Sequence, residues 1–391
     1  MDTIQGILNG MMREALSPQT AAVAIAVIGL NIHLGFTGLL NFGQAGFMLL
    51  GAYGMAISVW HGLPFAVGIL VGLGAALIFA LVLGVPTLKL RGDYLAIVTI
   101  SAAEILRYIG RSSLLSDFTG AAQGIPGSQY RAPFTSLSFF GQGTFTLWSF
   151  NYLDVANGAA WVRITGWVVL IALIAVLVYL LRGGATLSGN AKVAAAVVLG
   201  VLSVLLLFFL FPVPNQSTGV NGWWVRFVAW GLVFLSSFLV FLLVRSPWGR
   251  LLRGVREDED AIRSLGKNVF SIKMQALIIG GLFGAIGGML YVLPASTQPD
   301  SMGRTLTFFC YTALLIGGAA TIFGPVLGSV IFFGARIGIK YTASAYIPDS
   351  VMNAQQTEQF SYIVVGVALM LIVIFRPQGI LGNKRELRFD V

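Results

Sequence analysis

Apolar stretches of roughly 16 to 23 residues recur along this chain of 391 residues, and they constrain it more than any other feature. Each is long enough to cross a hydrocarbon core of about 30 Å as a helix, and much longer than the alternating segments of a membrane β-barrel. Spans are read at 20–36, 39–59, 64–86, 94–109, 163–182, 191–211, 226–244, 273–293, 306–321, 324–340 and 361–375. The expected fold class is all-α, a polytopic transmembrane helical bundle of about 10 to 11 spans, the lower count applying if 94–109 is re-entrant. Only 10% of residues are charged, against about a quarter in soluble domains.

Lys and Arg in short loops are retained on the cytoplasmic side. Lys89 with Arg91, Arg182 with Lys192, the segment Arg245 to Lys273, and the tail with Arg376, Lys384, Arg385 and Arg388 fall on one side if the N-terminus is outside. Arg336 and Lys340 are the exceptions. The same placement accounts for the net charge of +9 without nucleic acid as a partner; the membrane lipid is the expected surroundings. Ala21 to Phe36 runs on without a small-residue cleavage site, so the first span is expected to be retained. One cysteine, Cys310, allows no internal disulfide and no thiol ligand set. His33 and His61 lie far apart with no carboxylate cluster, so no metal site is expected, and His33 reads as a packing residue hydrogen-bonded between helices.

Ten of the 39 charged residues gather between Arg245 and Lys267. Ser246 and Pro247 read as N-cap and first helical position. Trp248, Leu251, Leu252 and Val255 then form an apolar stripe at i, i+3, i+4 and i+7, with Arg250, Arg253 and Glu257 opposite. The acidic run Glu257 to Asp260 suits the start of a second short helix, Glu259 can pair with Arg263, and Gly266 is a candidate stop. The segment 246–266 is thus two cytoplasmic amphipathic helices, either a solvated linker or a docking element that fills a groove on another protein.

Asp260-Ala261-Ile262-Arg263-Ser264-Leu265-Gly266 resembles the Glu-Ala-Ala-x-x-x-Gly loop of ABC importer permeases, with Asp260 replacing Glu and Ile262 the second Ala. The string "SPWGRLLRGVREDEDAIRSLGKNVFSIK", together with "GLNIHLGFTGLLNFGQAGFMLLGAY", "LRGDYLAIVTISAAEILR" and "LLIGGAATIFGPVLGSVIF" in that order, is similar to the M-type permease of branched-chain amino acid ABC importers. The resemblance implies a permease subunit in a bacterial cytoplasmic (inner) membrane. It implies a homologous permease as heterodimer partner, an extracytoplasmic solute-binding protein, and two ATP-binding cassette subunits that use ATP and Mg. On this reading Trp248, Leu251, Leu252, Val255, Arg256, Glu257, Asp260, Ala261 and Gly266 couple to the ATPase. The chain itself binds no cofactor. Family members have one span between the outer loop and the charged loop, where this chain has three, so 163–222 reads as an inserted hairpin region within a single permease domain, 1–391.

No segment carries a phosphate-binding Gly-x-x-x-x-Gly-Lys-[Ser/Thr], and no catalytic constellation is present, so an enzyme is not expected. Candidate pathway residues are Asn31, Asn41, Gln44 and Glu104. Gly38 to Gly54 is glycine-rich, which suits close helix packing or a broken helix whose freed N–H groups meet a substrate carboxylate. Asn41 and Gln44 would share a helical face, with Asn31 near in space. Glu104 and Arg107 are i,i+3 neighbours, either a salt bridge near the span end or a functional intramembrane carboxylate. Gly324-Pro325 suits a tight turn before a helix, or a re-entrant gate. The extracytoplasmic loop 110–162 carries Tyr130, Phe134, Phe139, Phe140, Trp148 and Tyr152, as headgroup anchors or a ligand pocket. Alternative functions are a urea or short-amide ABC permease, and an ion-coupled secondary transporter with Glu104 as proton carrier.

Overall fold

The computed structural model describes residues 2–88, 92–138, 146–147, 150–151, 160–181, 195, 198–200, 202–203, 223–347, 352–375 and 378–382. Its longer helices are α1 (Asp2–Ala15), α2 (Pro18–Leu30), α3 (Gln44–Trp60), α4 (Phe65–Thr87), α5 (Gly92–Arg111), α6 (Ala160–Leu181) and α7 (Trp223–Arg245), followed by α8 (Pro247–Glu257) and the short α9 (Glu259–Ser264). Then come α10 (Val269–Val292), α11 (Arg304–Gly317), α12 (Gly324–Tyr346) and α13 (Ala354–Phe375). Ten of the eleven expected spans fall on helices; 191–211 lies largely outside the described residues, as do Lys89, Arg91, Arg182, Lys192, Phe139, Phe140, Trp148, Tyr152, Arg376, Lys384, Arg385 and Arg388. Among the described residues five helices are long and apolar enough to cross a membrane, and the chain is a multi-pass helical membrane protein. Strand among the described residues is confined to the pairing of Thr146–Leu147 with Phe150–Asn151.

The bundle closes around α2, whose residues Thr20 to Leu30 are all buried. α10 packs against both α2 and α3, and glycine makes this possible. A Cβ on Gly288 would lie 1.9 Å from the Met48 carbonyl, one on Gly51 2.2 Å from the Ala285 carbonyl, and one on Gly287 2.6 Å from the Ala22 carbonyl. These backbones touch, as in small-residue membrane interfaces where dispersion rather than hydrophobicity drives association. α4 instead exposes Leu70, Val71, Leu77, Ile78, Leu81, Val82 and Val85, an aliphatic face suited to lipid.

The sequence reading misses α1, because its apolar residues are interrupted by polar ones and form no span-length run. It lies along α12, with Gly10 under the Tyr341 ring and Gly338 under Met11. This packing brings Glu14 to 3.9 Å from Arg336. Arg336 and Lys340 also lie 3.6 and 3.2 Å from the Glu358 carboxylate. The two basic residues that break the charge asymmetry are therefore neutralised locally.

The outer-loop aromatics Tyr130 and Phe134 are neither headgroup anchors nor an open pocket: both are buried. The Tyr130 hydroxyl lies 2.8 Å from the Val292 carbonyl, Arg131 Nε donates to Leu293 O at 2.6 Å, and Ile125 bridges Thr297. The loop thus supplies donors to carbonyls left open at the α10 C-terminus. Tyr130→Phe should cost about 1 kcal/mol, the usual worth of one such bond, seen as a lowered Tm in detergent.

Candidate functional site

The charged segment folds as the local chemistry requires. Ser246 Oγ accepts from Gly249 N–H at 3.4 Å and Pro247 opens α8; Asp258 Oδ1 accepts from the N–H groups of Asp260 and Ala261, both at 2.9 Å, and opens α9. Gly266 ends it at φ +71, in the left-handed region. One expected pairing is corrected: Arg263 bonds Asp260 at 2.6 Å, while Glu259 reaches Lys273 on α10. That second contact pins α9 to the foot of the bundle.

The apolar stripe turns inward. Leu252 and Val255 are 1% and 2% exposed, Trp248 and Leu251 are half-buried, and Trp248 Nε1 donates to Gln275 at 2.9 Å. Leu252 and Val255 therefore do not fill a groove on another protein, because this chain's own helices already cover them. Arg256 is also turned inward, its guanidinium donating to the Gly35 carbonyl. What faces outward is Glu257, Asp258, Asp260, Ala261, Arg263, Ser264, Leu265, Gly266 and Lys267. The hook is anchored by its apolar side and presents a polar tip.

Above Arg256 the chain leaves helical geometry. α2 passes into a π-helical turn, Asn31–Phe36, and Gly38 reverses direction at φ +75. Residues 39–43 run back beside the turn without regular structure, and α3 begins only at Gln44. The span expected at 39–59 is thus broken. Buried side chains hold this segment: Asn41 Nδ2 lies 3.0 Å from His33 Nδ1 and 3.3 Å from Gln44 Oε1, and His33 Nε2 lies 3.1 Å from Leu277 O. Asn41 donates through its amide, so Nδ1 accepts and His33 is the neutral Nε2–H tautomer, donating to Leu277. Gln44 Nε2 donates to Ala26 O at 3.0 Å.

The backbone N–H groups at the break are capped from within the chain. Phe42 N–H donates to Thr99 Oγ1, Gly43 N–H to Asn41 Oδ1 and Ala45 N–H to Thr307 Oγ1, at 3.0, 2.9 and 3.0 Å. The break exists, but in this state those donors are already satisfied. Thr99, Thr307 and Tyr311, whose hydroxyl donates to Asn41 O at 3.0 Å, were missed from sequence. A hydroxyl within an apolar span was the available signal, and it is a weak one because Thr also bonds its own helix.

The four pathway candidates do not form one cluster. Asn41 and Gln44 meet, though Asn41 precedes the helix rather than sharing a face with Gln44. Asn31 turns away to the α11–α12 connection, with Nδ2 2.7 Å from Thr321 O and Oδ1 2.8 Å from Ala320 N. That connection is a tight turn, and Pro325 sits in the first turn of α12. Glu104 makes no contact with that pair: it lies further along α5 from Thr99, Oε2 bonded to Arg107 at 2.8 and 3.0 Å and Oε1 accepting from Arg304 N–H at 3.1 Å, with Asp300 completing the pair at 2.5 Å from Arg107. This is the salt-bridge alternative.

Comparison with known proteins agrees with this architecture. The chain is 27% identical over 374 residues to the high-affinity branched-chain amino acid transport system permease protein LivM of Escherichia coli (strain K12), covering 94% of this chain and 69% of that protein. It is 27% identical over 196 residues to the probable branched-chain amino acid transport permease protein LivM of Methanocaldococcus jannaschii, covering 47% and 54%. It is 30% identical over 128 residues to the guanosine ABC transporter permease protein NupQ of Bacillus subtilis (strain 168), covering 32% and 37%. No solved structure matches. The family profile described as branched-chain amino acid transport system / permease component matches residues 12–374, and the chain belongs to that family.

Proposed function

We propose that this chain is one of two homologous permease subunits of an ABC importer in a bacterial cytoplasmic membrane, carrying branched-chain amino acids delivered by an extracytoplasmic binding protein. Two separate ATPase subunits, using ATP and Mg, supply the energy, and one grips the tip of the α8–α9 hook. The single observation behind this reading is the hook itself. Its apolar side is spent on the bundle while Glu257, Asp260, Ala261 and Leu265 stay exposed, in a family whose members are transport permeases. A linker with only a topological role has no need of two capped helices. Substrate moves by alternating access: closure of the ATPases displaces the hook, and the bundle opens outward, then inward.

The secondary-transporter alternative makes Glu104 the proton carrier. Glu104 spends its oxygens on Arg107 and the Arg304 amide, so no observation favours that reading. The test is reconstitution of the chain with its permease, ATPase and binding-protein partners in liposomes. Leucine should stimulate ATP hydrolysis and be taken up only with ATP, while urea and guanosine should not stimulate. Uptake that follows a proton gradient in ATP-depleted vesicles would overturn the reading. In the same system Gly266→Asp is expected to lower uptake severalfold with normal membrane abundance. Gly266 holds a left-handed conformation that costs a side chain about 1 kcal/mol, and nothing lies within 4 Å of its Cβ position, so the bundle is not disturbed.

A further inference from the structure

One polar contact links the hook to the broken span, and it falls on the π-helical turn. Arg256, on the inner side of α8, donates to the Gly35 carbonyl. Gly38 brings the backbone onto the same side chain, its Cβ position 3.1 Å from Arg256 Cγ. A larger residue at 38 would meet the arginine stem in a backbone conformation that already disfavours it.

The same six residues hold three further elements. Asn31 clasps the α11–α12 connection through two hydrogen bonds, at 2.7 Å to Thr321 O and 2.8 Å from Ala320 N. His33 bonds α10 at Leu277 O and the returning segment at Asn41. Gly35 is packed so that its Cβ would fall 2.0 Å from Asn31 Oδ1 and 2.6 Å from Ala320 N. The turn is therefore rigidly joined to the connection on one side and to the hook on the other. A π-helical turn also carries a surplus residue relative to an α-helix, which lets the flanking segment shift register without breaking the span, and such turns recur at functional sites.

We infer that the Asn31–Phe36 turn is the transmission element between hook and pathway, with Arg256 as the positioning residue that drives it. Displacement of α8 moves the Gly35 carbonyl, and the turn carries Asn41 with Gln44 and Ala320 with Thr321 together, so the start of α3 and the α11–α12 connection change position in one step. This rests on the reading that an ATPase grips the hook. Arg256 itself does not belong to the gripped surface, since its charge is spent inside the chain.

The test compares Arg256→Gln, Arg256→Lys and Asn31→Ala in the reconstituted complex, reading ATPase co-purification and substrate carried per ATP hydrolysed. Arg256→Gln should co-purify normally and carry about tenfold less substrate per ATP, as expected for loss of one charge-assisted hydrogen bond. Arg256→Lys should recover at least half, because an ammonium can reach the same carbonyl. Asn31→Ala should show the same loss, and the Arg256→Gln, Asn31→Ala double variant should be no worse than either, as for two members of one relay. A wild-type ratio in Arg256→Gln overturns the inference, and so does loss of co-purification, which would make Arg256 a docking contact. If Arg256→Gln does not accumulate, Asn31→Ala decides: a wild-type ratio there overturns it equally. Failure of the unmodified chain to bind any ATPase would instead sink the proposed function.

Discussion

Leu252→Asp is expected to abolish ATP-driven uptake while leaving the chain in the membrane. Leu252 is 1% exposed, under α8 and against the bundle, with Val255 one turn on. Burying a leucine is worth about 1.5–3 kcal/mol, and an unpaired carboxylate in its place costs several kcal/mol more. The hook's other contacts, the buried Val255, the half-buried Trp248 and Leu251, the Arg256 bond, the Glu259–Lys273 pair and the Trp248–Gln275 bond, must yield for that carboxylate to reach water. α8 should therefore swing free, while α2, α3 and α10, which contain no part of the hook, stay packed. Uptake in proteoliposomes and monodispersity in detergent check the two halves separately. Normal uptake would mean that the hook needs no anchoring.

The second large effect lies in the core. Gly288→Leu should yield no folded protein, because even its Cβ would lie 1.9 Å from the Met48 carbonyl and the backbones of α3 and α10 would have to part. Separating them also pulls on Gln44, which spans from α3 to Ala26 on α2. Gly74→Leu is the control: nothing lies within 4 Å of its Cβ position, and a larger apolar side chain there meets lipid. Yield of monodisperse protein should fall to background for the first and stay at the wild-type level for the second. Equal yields would contradict the backbone-contact account.

These two positions mark what could and could not be read from the sequence. Helices and hook were legible because they depend on local rules: hydropathy length, a Ser-Pro start, an acidic N-terminus and a glycine stop. Ser246, Asp258 and Gly266 act within a few residues of themselves. The direction in which the stripe faces was not legible, since Leu252 and Val255 would look the same against a partner or against their own bundle. The break at 37–43 was half-visible. Glycine suggested it, but the capping hydroxyls of Thr99 and Thr307 come from 57 and 262 residues away. Glu259 chose Lys273 over Arg263 for the same reason: the tertiary fold brought a less exposed partner within reach. Arg336 and Lys340 stay exceptions to the Lys/Arg asymmetry, and their neutralising partners Glu14 and Glu358 were not legible because the fold alone brings them near.

The central claim is that the outward tip of the α8–α9 hook is held by an ATPase on the cytoplasmic side. The sole cysteine, Cys310, is fully buried, so a reporter thiol at Leu265, which is 72% exposed, stands against a silent background. The most direct measurement is labelling of Leu265→Cys by a membrane-impermeant thiol reagent from each side, with and without the ATPase subunits. The account predicts labelling in inside-out vesicles stripped of ATPase, protection when the ATPase is restored, and none in intact cells. Labelling from outside, or labelling indifferent to the ATPase, would contradict it.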